Sequence, residues 1–147
     1  MKPLKAVAAA AALVATSTVI APPPAQAMMV WGNYDVLTNR YTQASWAWFV
    51  YPCNPDKKPD CASVSGIARL KYYYEYTGNA SLDPDGNYAL VVDVPDGLRC
   101  PGYNMPTRDT YRWNQLSLAG TIDSVYDVGC FNGPPGTQFW TFALQRL

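Results

Sequence analysis

Alternating apolar and polar positions, broken at short intervals by clusters of Gly, Pro, Asn and Asp, organise the chain from residue 28 onward. No long segment carries a clean 3.6-residue period, so the elements are strands rather than helices. About eight are predicted: Trp31–Leu37, Ser45–Tyr51, Ala62–Ile67, Arg69–Tyr76, Asn87–Val94, Thr110–Trp113, Leu116–Tyr126 and Thr137–Gln145. The breaks include Thr77-Gly78-Asn79, Asp83-Pro84-Asp85-Gly86, Pro95-Asp96-Gly97, Cys100-Pro101-Gly102 and Asn132-Gly133-Pro134-Pro135-Gly136. Short strands with turn chemistry between them predict one antiparallel all-β domain, a barrel or a sandwich.

The alternation also assigns faces. Leu70, Tyr72, Tyr74 and Tyr76 share one side of their strand, opposite Arg69, Lys71, Tyr73 and Glu75. Tyr88, Leu90, Val92 and Val94 form a second apolar face, opposed by Asn87, Ala89, Val91 and Asp93. Ser45–Tyr51 is apolar on both sides, with Trp46, Trp48 and Val50 against Ala47, Phe49 and Tyr51. So is the last strand, with Trp140, Phe142 and Leu144 against Phe139, Thr141 and Ala143. A strand of that kind is either covered on both faces or offers one face to a ligand.

Residues 1–27 follow a different pattern: Lys2 and Lys5, an apolar stretch from Ala6, then Pro22-Pro23-Pro24 and Ala25-Gln26-Ala27. This is the form of a cleaved secretory signal peptide ending in an A-x-A site, and it is too short and interrupted for a membrane span. The expected mature domain is 28–147, secreted or otherwise extracytoplasmic, with no stable membrane anchor after cleavage. The whole chain carries 11 basic and 11 acidic residues. Loss of the two leader lysines turns that balance slightly acidic. No cationic field is left to track nucleic acid.

Four cysteines in an exported chain predict two disulfides. Cys53–Cys61 and Cys100–Cys130 are the favoured pairs, because the turn-forming segment Asn54-Pro55-Asp56-Lys57-Lys58-Pro59-Asp60 brings the first two together. The cysteine spacing lacks the paired knuckles of a zinc site, and no metal or cofactor is expected.

The chain has no histidine, which removes the Ser-His-Asp and Cys-His catalytic devices. Paired carboxylates are the remaining acid/base chemistry, with Glu75, Asp93 and Asp109 as candidates, although solvated surface carboxylates explain the same residues. Asp83-Pro84-Asp85-Gly86-Asn87 has a calcium-loop look, yet its glycine comes too early and Val94 stands where a Glu is needed, so a β-turn is expected. The aromatic content, 5 Trp, 11 Tyr and 4 Phe, is the main functional lead. Trp46, Trp48, Tyr72, Tyr73, Tyr74, Trp113 and Trp140 are the candidate ligand-binding rings, with core packing as the competing use.

Gly32-x-Tyr34, Trp48-x-x-x-Pro52-Cys53 with Cys61-x-x-Val64, and Val92 through Cys100 form a pattern along the mature chain. Pro106-Thr107, Tyr111-x-Trp113, Leu118-x-Gly120 and Cys130 continue it. With these residues the chain resembles small exported proteins of unknown function from mycobacteria and related actinobacteria, a likeness that brings no catalytic residues with it. Gly32-Asn33-Tyr34 with Arg146 near the end also resembles lipocalin-like barrels at the level of fold. The expected function is non-catalytic binding of an apolar or glycan ligand, or of a cell-envelope component, through aromatic side chains. The alternatives are a carboxylate-based envelope hydrolase and a purely structural exported domain.

Overall fold

A sheet whose strands are apolar on one face can cover that face by curling until its two edges meet. In the computed structural model the chain does so. Strands β1 (Gly32–Thr38), β2 (Trp46–Pro52), β3 (Cys61–Ala68), β4 (Tyr76–Leu82), β5 (Asn87–Cys100), β6 (Tyr103–Asn114), β7 (Ala119–Tyr126) and β8 (Gly136–Arg146) follow one another around a closed antiparallel barrel. Pairing of β1 with β8, from Tyr34↔Arg146 to Thr38↔Phe142, closes it. The structure describes residues 29–40, 46–53, 60–68 and 75–147. The expected leader, the 54–59 turn, the 69–74 part of a predicted strand and Tyr72, Tyr73 and Tyr74 lie outside the described residues.

Up-and-down order sorts the connections to two ends. The ends of β1, β3, β5 and β7 and the starts of β2, β4, β6 and β8 lie at one, called here the hairpin end. Met29–Trp31 and the C-terminus lie at the other, where the Leu147 N–H donates to the Asn33 carbonyl at 3.0 Å.

Two predicted breaks fall inside strands. Thr77-Gly78-Asn79 belongs to β4, because Gly78 answers a packing need rather than a turn: a Cβ there would stand 2.8 Å from both Leu90 and Val92 side chains. Pro95-Asp96-Gly97 is a bulge within β5, where the register jumps from Val94↔Thr107 to Leu98↔Met105 and the hairpin then resumes. Proline fits there because a bulge releases it from the ladder. The Cys100-Pro101-Gly102 turn is found where expected, with Pro101 entering it and Gly102 at φ +84°. Asp83–Gly86 is likewise a turn, its side chain accepting the Asn87 N–H at 2.8 Å.

Inward positions match the predicted faces. Tyr76, Tyr88, Leu90, Val92, Val94, Trp48 and Val50 are all buried, while Val91, Asp93 and Tyr51 face solvent. Trp48 touches Tyr111, Trp113 and Phe142 at centroid separations of 5.2, 5.2 and 5.7 Å, so rings fill the barrel axis at its level. Gly66 makes room for one of them, since a Cβ there would meet the Tyr76 ring at 2.3 Å.

Disulfides Cys53–Cys61 and Cys100–Cys130 brace opposite ends of the barrel. Loop-closure entropy gives the longer loop the larger effect, about 3.6 against about 2.5 kcal/mol. Two bridges point to an oxidising, extracytoplasmic environment. Among the described residues no helix is long and apolar enough to cross a membrane, and no group of three or more His, Cys, Asp or Glu is placed to hold a metal ion.

Candidate functional site

Inside the hairpin end, β6 turns three successive inward positions, Thr107, Asp109 and Tyr111, toward the axis. A buried carboxylate needs partners, and Asp109 has them. Arg40, just past the end of β1, brings its Nη1 to Asp109 Oδ2 at 2.5 Å, and the two side chains are 1% and 0% exposed. Arg40 Nη2 donates to the Gly97 carbonyl at 2.8 Å and lies 3.4 Å from Thr107 Oγ1. Thr107 donates to Asp109 Oδ1 at 2.6 Å, and the Tyr111 hydroxyl reaches Oδ2 at 3.5 Å. The β5 bulge is shaped for this: a Cβ on Gly97 would stand 1.8 Å from Thr107 Oγ1 and 2.6 Å from Arg40 Nη2.

The polar cluster continues into the aromatic core. The hydroxyls of Tyr111 and Tyr76 are hydrogen-bonded to each other, and Trp48 Nε1 donates to the Tyr76 hydroxyl at 2.6 Å. Burial pushes both phenols well above their ordinary value of 10.0, and the Asp109 charge pushes the same way. Tyr34 and Tyr88 are also raised, again mainly by burial. Neutral phenols in the fold and ionisable ones in the unfolded chain give no differential effect below pH 10 and a loss of stability above it. In an alkaline titration, tyrosinate absorbance from these residues should therefore rise only together with loss of the β-sheet dichroism signal. Their ionisation near pH 10 with the sheet intact would contradict their placement.

The outer surface of the hairpin end carries a second arrangement. Phe131 is 72% exposed and has φ +56°, and Asn132 follows at φ +58°. A non-glycine residue in this left-handed region costs about 1–2 kcal/mol. Three contacts hold it there. Cys130 is bridged to Cys100, the Phe131 N–H donates to the Tyr103 hydroxyl at 2.7 Å, and the two rings meet edge to face at 5.7 Å and 84°. Arg99, Asn104 and Asn132 are exposed at the same end, and a groove of about 390 Å³ is lined by Arg99, Cys100, Gly102, Tyr103 and Asn104. Another, of about 360 Å³, lies beside Asp93, Met105, Arg108, Val125 and Val128.

The predicted residues separate accordingly. Trp48 and Trp113 are buried in the core, and Trp140 is half-buried and packs against it. The Trp46 backbone pairs with Val36 and Ala68, while its side chain lies outside the described residues. Asp109 faces the barrel interior, whereas Asp93 is on the outer wall, 3.4 Å from Arg108. Glu75 is half-buried just before β4. Asp109 and Asp93 thus project from opposite faces of the barrel wall. Sequence reading missed Arg40, Tyr103 and Phe131. Arg40 is 69 positions from its partner and gives no local signal, but the adjacency of Phe131 to a cysteine in a glycine-rich loop was a usable hint.

Site and fold together define an eight-stranded antiparallel barrel with a buried ion pair at one mouth and an aromatic corner outside it. Compared with protein-family models, curated proteins and solved structures, the chain matches none of them.

Proposed function

We propose that this is a secreted, non-catalytic binding protein whose barrel is a rigid scaffold and whose recognition surface is the Tyr103–Phe131 corner, with a glycan of the cell envelope as ligand. The observation that carries this reading is Phe131: an exposed aromatic side chain held in a strained backbone conformation by a disulfide and a hydrogen bond. Strain of this kind clusters at binding sites, and here it serves no burial. A glycan fits better than an acyl chain because the groove beside Tyr103 is lined by Arg99 and Asn104, and Asn132 follows Phe131 in the chain. One face of a pyranose is C–H-lined and stacks on a ring, while its hydroxyl edge takes amides and guanidinium. The leader at 1–27, the two bridges and the likeness to exported actinobacterial proteins support secretion.

Phe131→Gly separates binding from structure. Glycine relieves left-handed strain of about 1–2 kcal/mol but gives up the edge-to-face contact with Tyr103 and adds freedom to the unfolded chain, so stability should change by less than about 1 kcal/mol. Stacking is lost with the ring, so retention on insoluble chitin, cellulose or peptidoglycan should weaken by about tenfold. Sedimentation assays on wild type and variant give the comparison. Equal retention of the two, or retention of neither on any of the three polymers, would count against glycan binding and in favour of a structural domain.

A further inference from the structure

We propose that the chamber filled by the Arg40 side chain is a binding site for an organic cation, a guanidinium or protonated amine, and that Arg40 is its intramolecular occupant. The site stands apart from the Tyr103–Phe131 corner and does not depend on it.

Without the Arg40 side chain the chamber presents acceptors: both Asp109 carboxylate oxygens, the Gly97 carbonyl and the Thr107 hydroxyl. Beside it the Tyr111 hydroxyl reaches Asp109 Oδ2 at 3.5 Å, and the Tyr111 ring stacks on that of Tyr76. One carboxylate, a carbonyl and a hydroxyl are what a planar guanidinium or an ammonium needs for charge-assisted hydrogen bonding. A divalent metal ion takes several anionic oxygens and finds one carboxylate. Two features exceed what a static ion pair requires. Ser124, opposite Asp109 in the β6–β7 register, is 0% exposed and its Oγ has no hydrogen-bond partner, a buried polar group left over on the strand beside Asp109. The occupying residue, moreover, comes from outside the strands: Arg40 follows β1 and its own N–H is held by the Thr38 hydroxyl at 3.1 Å. The groups that hold its guanidinium, by contrast, belong to β5 and β6.

Chemical complementation tests this. Arg40→Ala, wild type and an Arg40→Ala/Asp109→Asn double variant are titrated with ethylguanidinium chloride against sodium chloride of equal ionic strength. The readouts are Trp fluorescence, sensitive to the Trp48–Tyr76 hydrogen bond, and the melting temperature. Arg40→Ala should respond saturably, wild type should respond with a midpoint at least about tenfold higher because Arg40 competes, and the double variant should not respond. A folded Arg40→Ala without a saturable response overturns the proposal. So does a response that survives loss of the Asp109 charge, or a wild type unresponsive at about a hundred times the variant's midpoint. If Arg40→Ala does not fold alone, refolding it with ethylguanidinium decides: soluble protein only with the cation supports the site, and insolubility with and without it overturns it.

Discussion

Replacing Arg40 with alanine is expected to lower the stability of the barrel by about 3–5 kcal/mol, a large part of the ~5–15 kcal/mol typical of a domain. The cost comes from what remains behind. Asp109 stays fully buried, keeping Thr107 and Tyr111 but losing its countercharge. The Gly97 carbonyl loses its Arg40 donor as well. Asp109→Ala should be comparably harmful, because it strands the guanidinium instead. Exchanging both for apolar residues, Arg40→Met with Asp109→Leu, should recover most of the loss, since a buried pair gains little over well-packed hydrophobic side chains. Equilibrium denaturation of the two single variants and the double variant completes the cycle. Single losses below about 1 kcal/mol would mean that water reaches the pair and that the hairpin end is open.

Trp48→Ala should cost about 3–5 kcal/mol, the usual range for deleting a large buried aromatic. Trp48 is 0% exposed and lies between Tyr111, Trp113 and Phe142, strands too far around the barrel to collapse into the space it leaves. The change also removes the indole donor to Tyr76. Trp113, on the other side of the same cluster and stacked on Tyr88 at 5.1 Å, is 1% exposed and its indole N–H has no partner, so Trp113→Phe should be milder than Trp48→Phe. Equal costs for the two phenylalanine variants, measured by urea denaturation, would show that the Trp48–Tyr76 hydrogen bond adds nothing to packing.

Inward faces were legible from alternation because a strand states its pleat locally. Tyr88, Leu90, Val92 and Val94 could be assigned to the core with no knowledge of their partners, and the structure buries all four. The Cys53–Cys61 bridge was legible from the turn-forming residues between the two cysteines, and Cys100–Cys130 is the pair that remains. Glycine was the source of error, since the same residue marks a turn at Gly102 and a close packing contact at Gly78. Only the neighbouring strand distinguishes the two. The choice between barrel and sandwich rested on whether β1 meets β8, a pairing between residues more than a hundred positions apart. The polar interior was invisible for a similar reason: Asp109 reads as a solvent-exposed carboxylate until Arg40 arrives from a connection at the other end of the chain. Phe131 was passed over because an exposed aromatic in a loop belongs to no periodic pattern. Its backbone angle and its hydrogen bond to Tyr103 are what set it apart.

The central claim is that recognition occurs on the outer corner at the hairpin end and leaves the aromatic interior closed. Backbone amide shifts of isotope-labelled protein, followed during titration with soluble fragments of the polymer that retains it, test this most directly. The predicted result is a contiguous set of shifts at Arg99, Tyr103, Asn104, Phe131 and Asn132, with Trp48, Tyr111 and Trp113 unmoved. Shifts centred on Trp48, Tyr111 and Trp113 while Tyr103 and Phe131 stay silent would contradict it.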